Sequence, residues 1–258
     1  DRLFGWHSAL FPSGRSGMYK IIAGKWRDDS TGPMQVVSGA LGKEKVHFEA
    51  PPAEEIRKEM KSFISWFNKE SNPDLILKSA ISHLWFITIH PFEDGNGRIA
   101  RALSEILLTR SDETPQRFYS LSSQIRAERK DYYKILEKTQ KGTLDITEWL
   151  VWYLKCLADA LNSSDKILSK VLYKHKFWIK YSSEILNSRQ ILLINKILDN
   201  FIGQLTTSKW AKIAKCSQDT ALRDIQDLIN KNILQKNPSG GRSTNYKLVT
   251  LKLKQPSN

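Results

Sequence analysis

The chain has 258 residues, 40% of them hydrophobic, with eight tryptophans and a formal net charge of +13. That is apolar material for one large domain or two modest ones, and the charge points to an anionic partner: nucleic acid, nucleotide, membrane surface or acidic protein. Two widely separated cysteines, Cys156 and Cys216, exclude a disulfide framework and a Cys-x-x-Cys metal pair and are what a reducing cytoplasm predicts.

In chain order, DRLFGWHSALFPSG has neither the basic start nor the apolar stretch of a signal peptide. Asp1 in place of a methionine reads as the start of an internal fragment. No apolar run reaches the length of a membrane span. The first fifty residues are rich in Gly and Pro and poor in helical period. Within them GPMQVVSGA and EKVHFEAPP are β-like runs separated by Gly39, Gly42 and Lys43, and they read as a hairpin. PPAEEIRKEMKSFISWFNKE opens a helix with prolines and two glutamates and places Ile56, Met60, Phe63, Ile64 and Phe67 on one face. PDLILKSAISHLWFITIH is strongly apolar and helix-length, which reads as a buried helix. Pro91 disfavours helical geometry at His90, so that helix should end there. Another begins near Asn96, and amphipathic helices follow at about 122–141 and 147–161. A Lys-rich aromatic stretch at 167–183 reads as a connecting helix. From Ser188 the pattern is three helices, then strand, turn and strand, which resembles the winged-helix arrangement.

The densest chemistry lies in HPFEDGNGRIAR, His90 to Arg101. Imidazole can take a proton from a hydroxyl near neutral pH. Asp94 is a hard oxygen ligand suited to Mg²⁺. Gly95, Asn96 and Gly97 can bring backbone N–H groups close to an anion just before a helix N-terminus. Arg98 and Arg101 are three apart on that helix, and arginine grips phosphate oxygens bidentately. Together these groups describe transfer of a phosphate-containing group to a hydroxyl. Each alone reads more simply as a structural histidine, a turn and a solvated face; their order within twelve residues argues against coincidence.

The segment resembles the Fic family signature H-x-F-x-[D/E]-G-N-G-R-x-x-R at His90, Phe92, Asp94, Gly95, Asn96, Gly97, Arg98 and Arg101. The resemblance implies an all-α Fic helical bundle with a β-hairpin flap and the activity of a protein adenylyltransferase, moving AMP from ATP to a Ser, Thr or Tyr hydroxyl. It implies His90 as general base, with Arg98 as the second catalytic residue, and Asp94 as the Mg²⁺ ligand. The ATP-binding set is Phe92, Gly95, Asn96, Gly97, Arg98 and Arg101, Phe92 serving as anchor of the loop; Glu93 takes no catalytic role. Residues 3–39 and 46–56 look like the region that forms the flap, with Met34, Gln35, Val36, Val37, Val46 and His47 as target-binding positions and backbone pairing as the recognition mode. Tyr132 and Tyr133, in a segment that also looks like Fic sequence, join the ATP site or stay in the core, both readings standing. The resemblance covers about residues 1–160, giving a core at 1–161 with the flap at about 33–50, a connecting helix at 162–187 and a winged-helix domain at 188–258. Many family members carry an inhibitory glutamate upstream; here the first glutamate is Glu44, so either the protein is unrestrained or the upstream segment is missing, the start at Asp1 favouring the second, and this fragment is expected to be more active than its full-length parent.

The last segment, 188–258, holds twelve Lys and Arg against four Asp, which favours attraction to a phosphate backbone. Its third helix, SQDTALRDIQDL, has three aspartates and one arginine, which argues against reading bases. Gln218, Thr220 and Arg223 are the contacts such a helix would offer, with Gly240, Gly241 and Arg242 as a wing. DNA, a docking protein and a second copy of the chain all remain open as partners beside ATP and a target protein. Competing functions are a DNA-binding regulator with a nucleotide-sensing core, and a Fic variant transferring UMP, phosphate or phosphocholine. A zinc hydrolase on His83 and His90 lacks a third ligand, and no P-loop motif is present.

Overall fold

The computed structural model describes residues 1–30, 32–40, 42–69, 74–112, 117–199, 201–237 and 244–251. They are mostly helical and divide into two compact units, Asp1–Ser164 and Asp165–Asn258.

The first unit contains helix α1 (Arg2–Leu10), the two-residue ladder β1 (Arg15–Ser16) and β2 (Tyr19–Lys20), and the hairpin β3 (Gln35–Ser38) and β4 (Lys45–Glu49). Helices α2 (Ala53–Asn68), α3 (Leu75–Ile89), α4 (Asn96–Asp112), α5 (Leu121–Ala127) and α6 (Arg129–Gln140) follow, then α7 (Thr147–Lys180). Helix α3 is apolar on all sides because it is central: nine of its residues are buried, and a helix without a polar stripe belongs inside a core. Asp74 caps it, its carboxylate accepting the Ile76 N–H at 2.8 Å. Helix α2 packs through Ile56, Met60, Phe63 and Phe67. Ile64, expected on the same face, is 40% exposed.

Three sequence expectations need correction here. Residues 2–10 form a helix where no helical period was read. Its Leu3, Phe4, Trp6 and Leu10 pack against the core and His7 is fully buried, so tertiary packing rather than a clean stripe fixes it. The stretch 122–141 is two helices, because Glu128 is at once the C-cap of α5 and the N-cap of α6. The helices expected at 147–161 and 167–183 are one: α7 runs 34 residues, with neither Gly nor Pro to stop it. The division between the two units falls inside it.

Strands β3 and β4 pair antiparallel, with Val36 opposite Phe48 but Val37 opposite Val46. His47 is therefore the extra residue of a β-bulge, a device that re-aims a side chain.

The second unit holds the end of α7, then α8 (Ser188–Leu198), β5 (Leu205–Thr206), α9 (Thr207–Ala214), α10 (Gln218–Asn230), β6 (Leu234–Lys236) and β7 (Asn245–Leu248). The sheet order is β5-β7-β6, all antiparallel. Asn187 and Gln190 form a capping box at the start of α8. Only three residues separate α9 from α10, and the first, Lys215, takes the left-handed conformation that turns the chain. Trp210, Ile225, Leu228 and Phe177 are buried in this unit's own core. Strand β5 was not read from the sequence; two residues are too few to show alternation. The expected wing residues Gly240, Gly241 and Arg242 lie outside the described residues. Among those described, no helix is long and apolar enough to cross a membrane.

Candidate active site

Helix α3 ends at His90, whose backbone is left-handed (φ 51°, ψ 57°) and whose N–H donates to the Phe86 carbonyl at 3.1 Å. Proline at the next position excludes helix continuation, and a histidine with positive φ is uncommon enough to mark a strained position. Arg27 holds it. This buried guanidinium donates through Nε to the His90 carbonyl at 2.8 Å, through Nη2 to the Pro51 carbonyl at 2.5 Å and through Nη1 to Asp29 at 2.7 Å. Its backbone N–H also donates to the Pro91 carbonyl at 3.0 Å.

The His90 ring lies 3.1 Å, through Nδ1, from the Ile87 carbonyl. A carbonyl only accepts, so Nδ1 carries the hydrogen and Nε2 keeps the lone pair. Burial lowers the pKa to about 4. The imidazole is therefore neutral at pH 7, ready to take a proton.

The loop after His90 is tied from several sides. Phe92 is fully buried, its ring stacked on His7 with centroids 4.1 Å apart and packed against Trp26 at 4.9 Å. The Asn96 amide clips the loop onto itself: Oδ1 accepts the Phe92 N–H at 3.0 Å and Nδ2 donates to the Phe92 carbonyl at 2.7 Å. His7 accepts the Gly24 N–H on Nδ1 at 3.0 Å, so its Nε2 is the nitrogen that donates to the Asp94 carbonyl at 3.1 Å. Gly95 has φ +80°, and a Cβ there would come within 2.9 Å of the Phe11 ring. Glycine is thus required twice over, by backbone and by space. The first turn of α4 leaves the Asn96 and Gly97 N–H groups without intrahelical acceptors.

These residues border a cavity of about 750 Å³ whose lining includes His90, Glu93, Asp94, Gly95, Asn96, Gly97 and Arg101. Residues 34–38, His47 and Phe48 of the hairpin line it too, as do Tyr132, Tyr133, Arg129, Lys130 and Gln140 of α6. The Asp94 side chain is about half exposed, with Oδ1 accepting the Gly95 N–H at 2.5 Å and Oδ2 accepting the Ser16 hydroxyl. Among the described residues no cluster of three His, Cys, Asp or Glu could cage a metal. An accessible carboxylate next to a turn with unpaired N–H groups fits Mg²⁺, which takes one or two carboxylates and completes its shell with water and substrate phosphates.

Not every expected residue faces the cavity. Phe92 does not line it, being sealed in the aromatic cluster, so its place is anchorage rather than ATP contact. Asn96 spends its side chain on the loop. Arg98 lies over the Phe11 ring at 4.5 Å and 3.9 Å from Asp94, outside the lining. Val46 is exposed and also outside it. Of the two tyrosines, Tyr132 is buried, its hydroxyl 2.9 Å from His83 Nε2, whereas Tyr133 is half exposed on the cavity wall. Two other side chains of the site carried no signal in the sequence. Arg27 and His7 sit in segments without a motif, and only their burial reveals them. Glu93 accepts the Ile22 N–H at 2.7 Å. His47, displaced by the bulge, donates from Nδ1 to Glu137 of α6 at 2.6 Å, with Ser38 Oγ 2.6 Å from Nε2.

Residues 1–108 match the Fic/DOC family. This match holds α1, the hairpin, His90 and the loop to Arg101, and stops short of Tyr132 and Tyr133. Similar curated proteins are a probable protein adenylyltransferase of Aquifex aeolicus (29% identical, 40% of this chain and 30% of that one) and protein adenylyltransferase fic-1 of Caenorhabditis elegans (37%, 35% and 17%). Protein adenylyltransferase Fic of Nematostella vectensis is 34% identical over 41% of this chain and 24% of its own. The chain thus spans less than a third of each of these relatives. A solved Fic family protein from Desulfovibrio desulfuricans G20 superposes on 98% of this chain and 69% of its own, with TM-score 0.50 and 21% identity, a likeness of fold alone.

Proposed function

We propose that this protein is an adenylyltransferase that moves AMP from ATP to a hydroxyl of a target protein. The observation that carries the reading is a neutral His90, its Nε2 free to accept, on the wall of a cavity that also holds the Asp94–Gly97 turn. The names of the relatives support the donor and the reaction class. In the step proposed, the target hydroxyl gives its proton to His90 Nε2 as its oxygen bonds to the α-phosphorus. The bond from that phosphorus to the oxygen bridging to the β-phosphate breaks, and pyrophosphate leaves with the electron pair. The Asn96 and Gly97 amides and Arg101 stabilise phosphate charge. Bound Mg²⁺, held through Asp94, would supply further neutralisation of the phosphates. Tyr133 offers its exposed ring to the donor base, and the free edge of the hairpin offers backbone pairing to the target. Reaction in a cytoplasmic setting is part of the same proposal.

The test is incubation with Mg²⁺ and α-labelled ATP, alone and with host lysate, beside His90→Ala. Protein-bound label that disappears in the variant supports the reading. Label from UTP or CDP-choline instead of ATP would replace the donor, and label undiminished in His90→Ala would remove His90 as base.

For the second unit we propose a winged-helix module that binds duplex DNA. Two of the three α10 aspartates that argued against this are engaged by neighbouring side chains. Asp224 is buried and accepts from Arg189 at 2.8 Å and Asn187 at 2.8 Å; Asp227 accepts from Gln190 at 2.8 Å and Lys231 at 2.6 Å. The exposed α10 positions are Gln218, Asp219, Leu222, Arg223, Gln226 and Asn230, with exposed Lys212 and Lys215 beside them in sequence. Affinity for duplex DNA that falls steeply with salt, and falls further in Arg223→Ala, would support this; salt-independent or absent binding would refute it.

A further inference from the structure

A second cavity, about 590 Å³, adjoins the first. It is lined by Arg101, Ser122, Ser123, Ile125, Arg126 and Arg129, with Tyr132 and Tyr133. Arg101, Arg129 and the two tyrosines line both cavities, so the two share a wall that includes Arg101. Arg101 sits tight against the loop: its Nη1 would lie 3.5 Å from a Cβ at Gly97. It therefore borders the anion-binding turn on one side and the second basin on the other. Arg129 is set against the Tyr133 ring at 5.5 Å.

Three guanidinium groups, two serines and two tyrosines line this basin, and no carboxylate does. Among the described residues none of the three arginines has an ion-pair partner, whereas Arg27, Arg117 and Arg189 each have at least one. Unneutralised guanidiniums converging on a concave surface with hydroxyl donors make a site for a multiply charged anion that accepts many hydrogen bonds.

We propose that this basin is a pyrophosphate site that receives the leaving group of the transfer reaction. The proposal rests on the AMP-transfer reading for its biological use, and on the basin alone for its chemistry. Pyrophosphate bears about as much charge as the three guanidiniums can match. Its path is set by Arg101: an anion released beside the Asn96–Gly97 turn passes that side chain to reach Arg126, Arg129, Ser122 and Ser123.

The test is titration calorimetry of the full chain with inorganic pyrophosphate and, separately, with AMP. Arg126 is exposed, so charge reversal there leaves the fold intact. The expected result is that Arg126→Glu weakens pyrophosphate by about tenfold or more while AMP binds as before, with Arg126→Lys in between. Ser122→Ala should weaken pyrophosphate severalfold. Equal pyrophosphate affinity in wild type and Arg126→Glu would overturn the site. Equal losses for AMP and pyrophosphate would overturn its separation from the first cavity. Binding needs no turnover: a wild-type protein that binds pyrophosphate through Arg126 yet transfers no AMP would refute the activity and leave the anion site standing. Where transfer is seen, inhibition by added pyrophosphate should weaken in Arg126→Glu in the same proportion as binding, and unchanged inhibition would refute the leaving-group role.

Discussion

Arg27 is the side chain on which the position of His90 depends. Arg27→Ala removes three side-chain hydrogen bonds, to the His90 carbonyl, the Pro51 carbonyl and Asp29. The guanidinium is buried, and burial already lowers its pKa, a sign that its partners offset a real desolvation cost. Truncating one member of a buried charged network costs about 3–5 kcal/mol. Asp29 is 34% exposed and recovers some hydration, so about 3 kcal/mol is the fitting figure. For a unit of this size that lowers Tm by roughly 6–12 °C. Arg27→Lys keeps the charge but cannot reproduce the fork that serves two carbonyls and a carboxylate, so about half the loss should remain. Thermal melting followed by circular dichroism measures the stability; AMP transfer per folded molecule, at a temperature where the variants stay folded, measures the positioning. A variant that melts within about 2 °C of wild type would refute the energetic argument. One that is destabilised yet transfers normally would refute the link to His90.

Other perturbations follow from the same contacts. His83 and His90 have pKa values lowered by burial to about 3 and about 4, so the unfolded chain binds more protons below pH 6.5. Stability should therefore fall by about 2–3 kcal/mol per pH unit between pH 6 and 4.5, and His83→Gln should roughly halve that slope in denaturant titrations. The acid limb of kcat/KM should lie well below the ordinary histidine value, because that profile reports the free enzyme; a limb near 6.5 would contradict a neutral, buried base. Gly95→Ala meets both positive φ and the Phe11 ring, and should cost about 1–3 kcal/mol together with loss of ATP binding by calorimetry. Glu137→Gln weakens the tie from the hairpin to α6, and hydrogen exchange of the β4 amides should accelerate while α3 stays protected.

Much of the site was legible because it is local. The turn at Gly95, the helix end before Pro91 and the helix start at Asn96 all follow from neighbours in sequence, and the structure places them there. The parts that were hidden depend on partners far along the chain. Arg27 reaches His90 across 63 residues and His7 reaches Asp94 across 87. Neither shows a motif, because a residue that acts through burial is recognised only when its surroundings are known. The same holds for α1, whose helix is made by the core it covers, and for the tie to Glu137 of His47, a residue named from the sequence as a flap position but sent to α6 by a single-residue bulge. Phe92 shows the converse: its place in the signature identified it as functional, and its burial makes that function the anchoring of the loop.

The second unit turns on where its acids point. Counting charge along α10 gave three aspartates against one arginine, a sum that discourages contact with phosphate. The fold changes the sum. Asp224, which burial alone would drive toward the neutral form, is held ionised by Arg189 and Asn187. Asp227 is held by Lys231 and Gln190. Their charge is cancelled where it stands, leaving Asp219 as the aspartate of α10 without such a tie among the described residues. Asp224→Ala should then destabilise the unit by about 3 kcal/mol, because it leaves Arg189 and Asn187 without their shared acceptor. If α10 is the DNA-reading helix, that variant should bind DNA no more tightly per folded molecule, although a negative charge has been deleted from the helix. Asp219→Asn should bind more tightly at low salt. The opposite order, with Asp224→Ala the stronger binder, would mean that Asp224 faces the ligand, and the assignment of the α10 faces would fall.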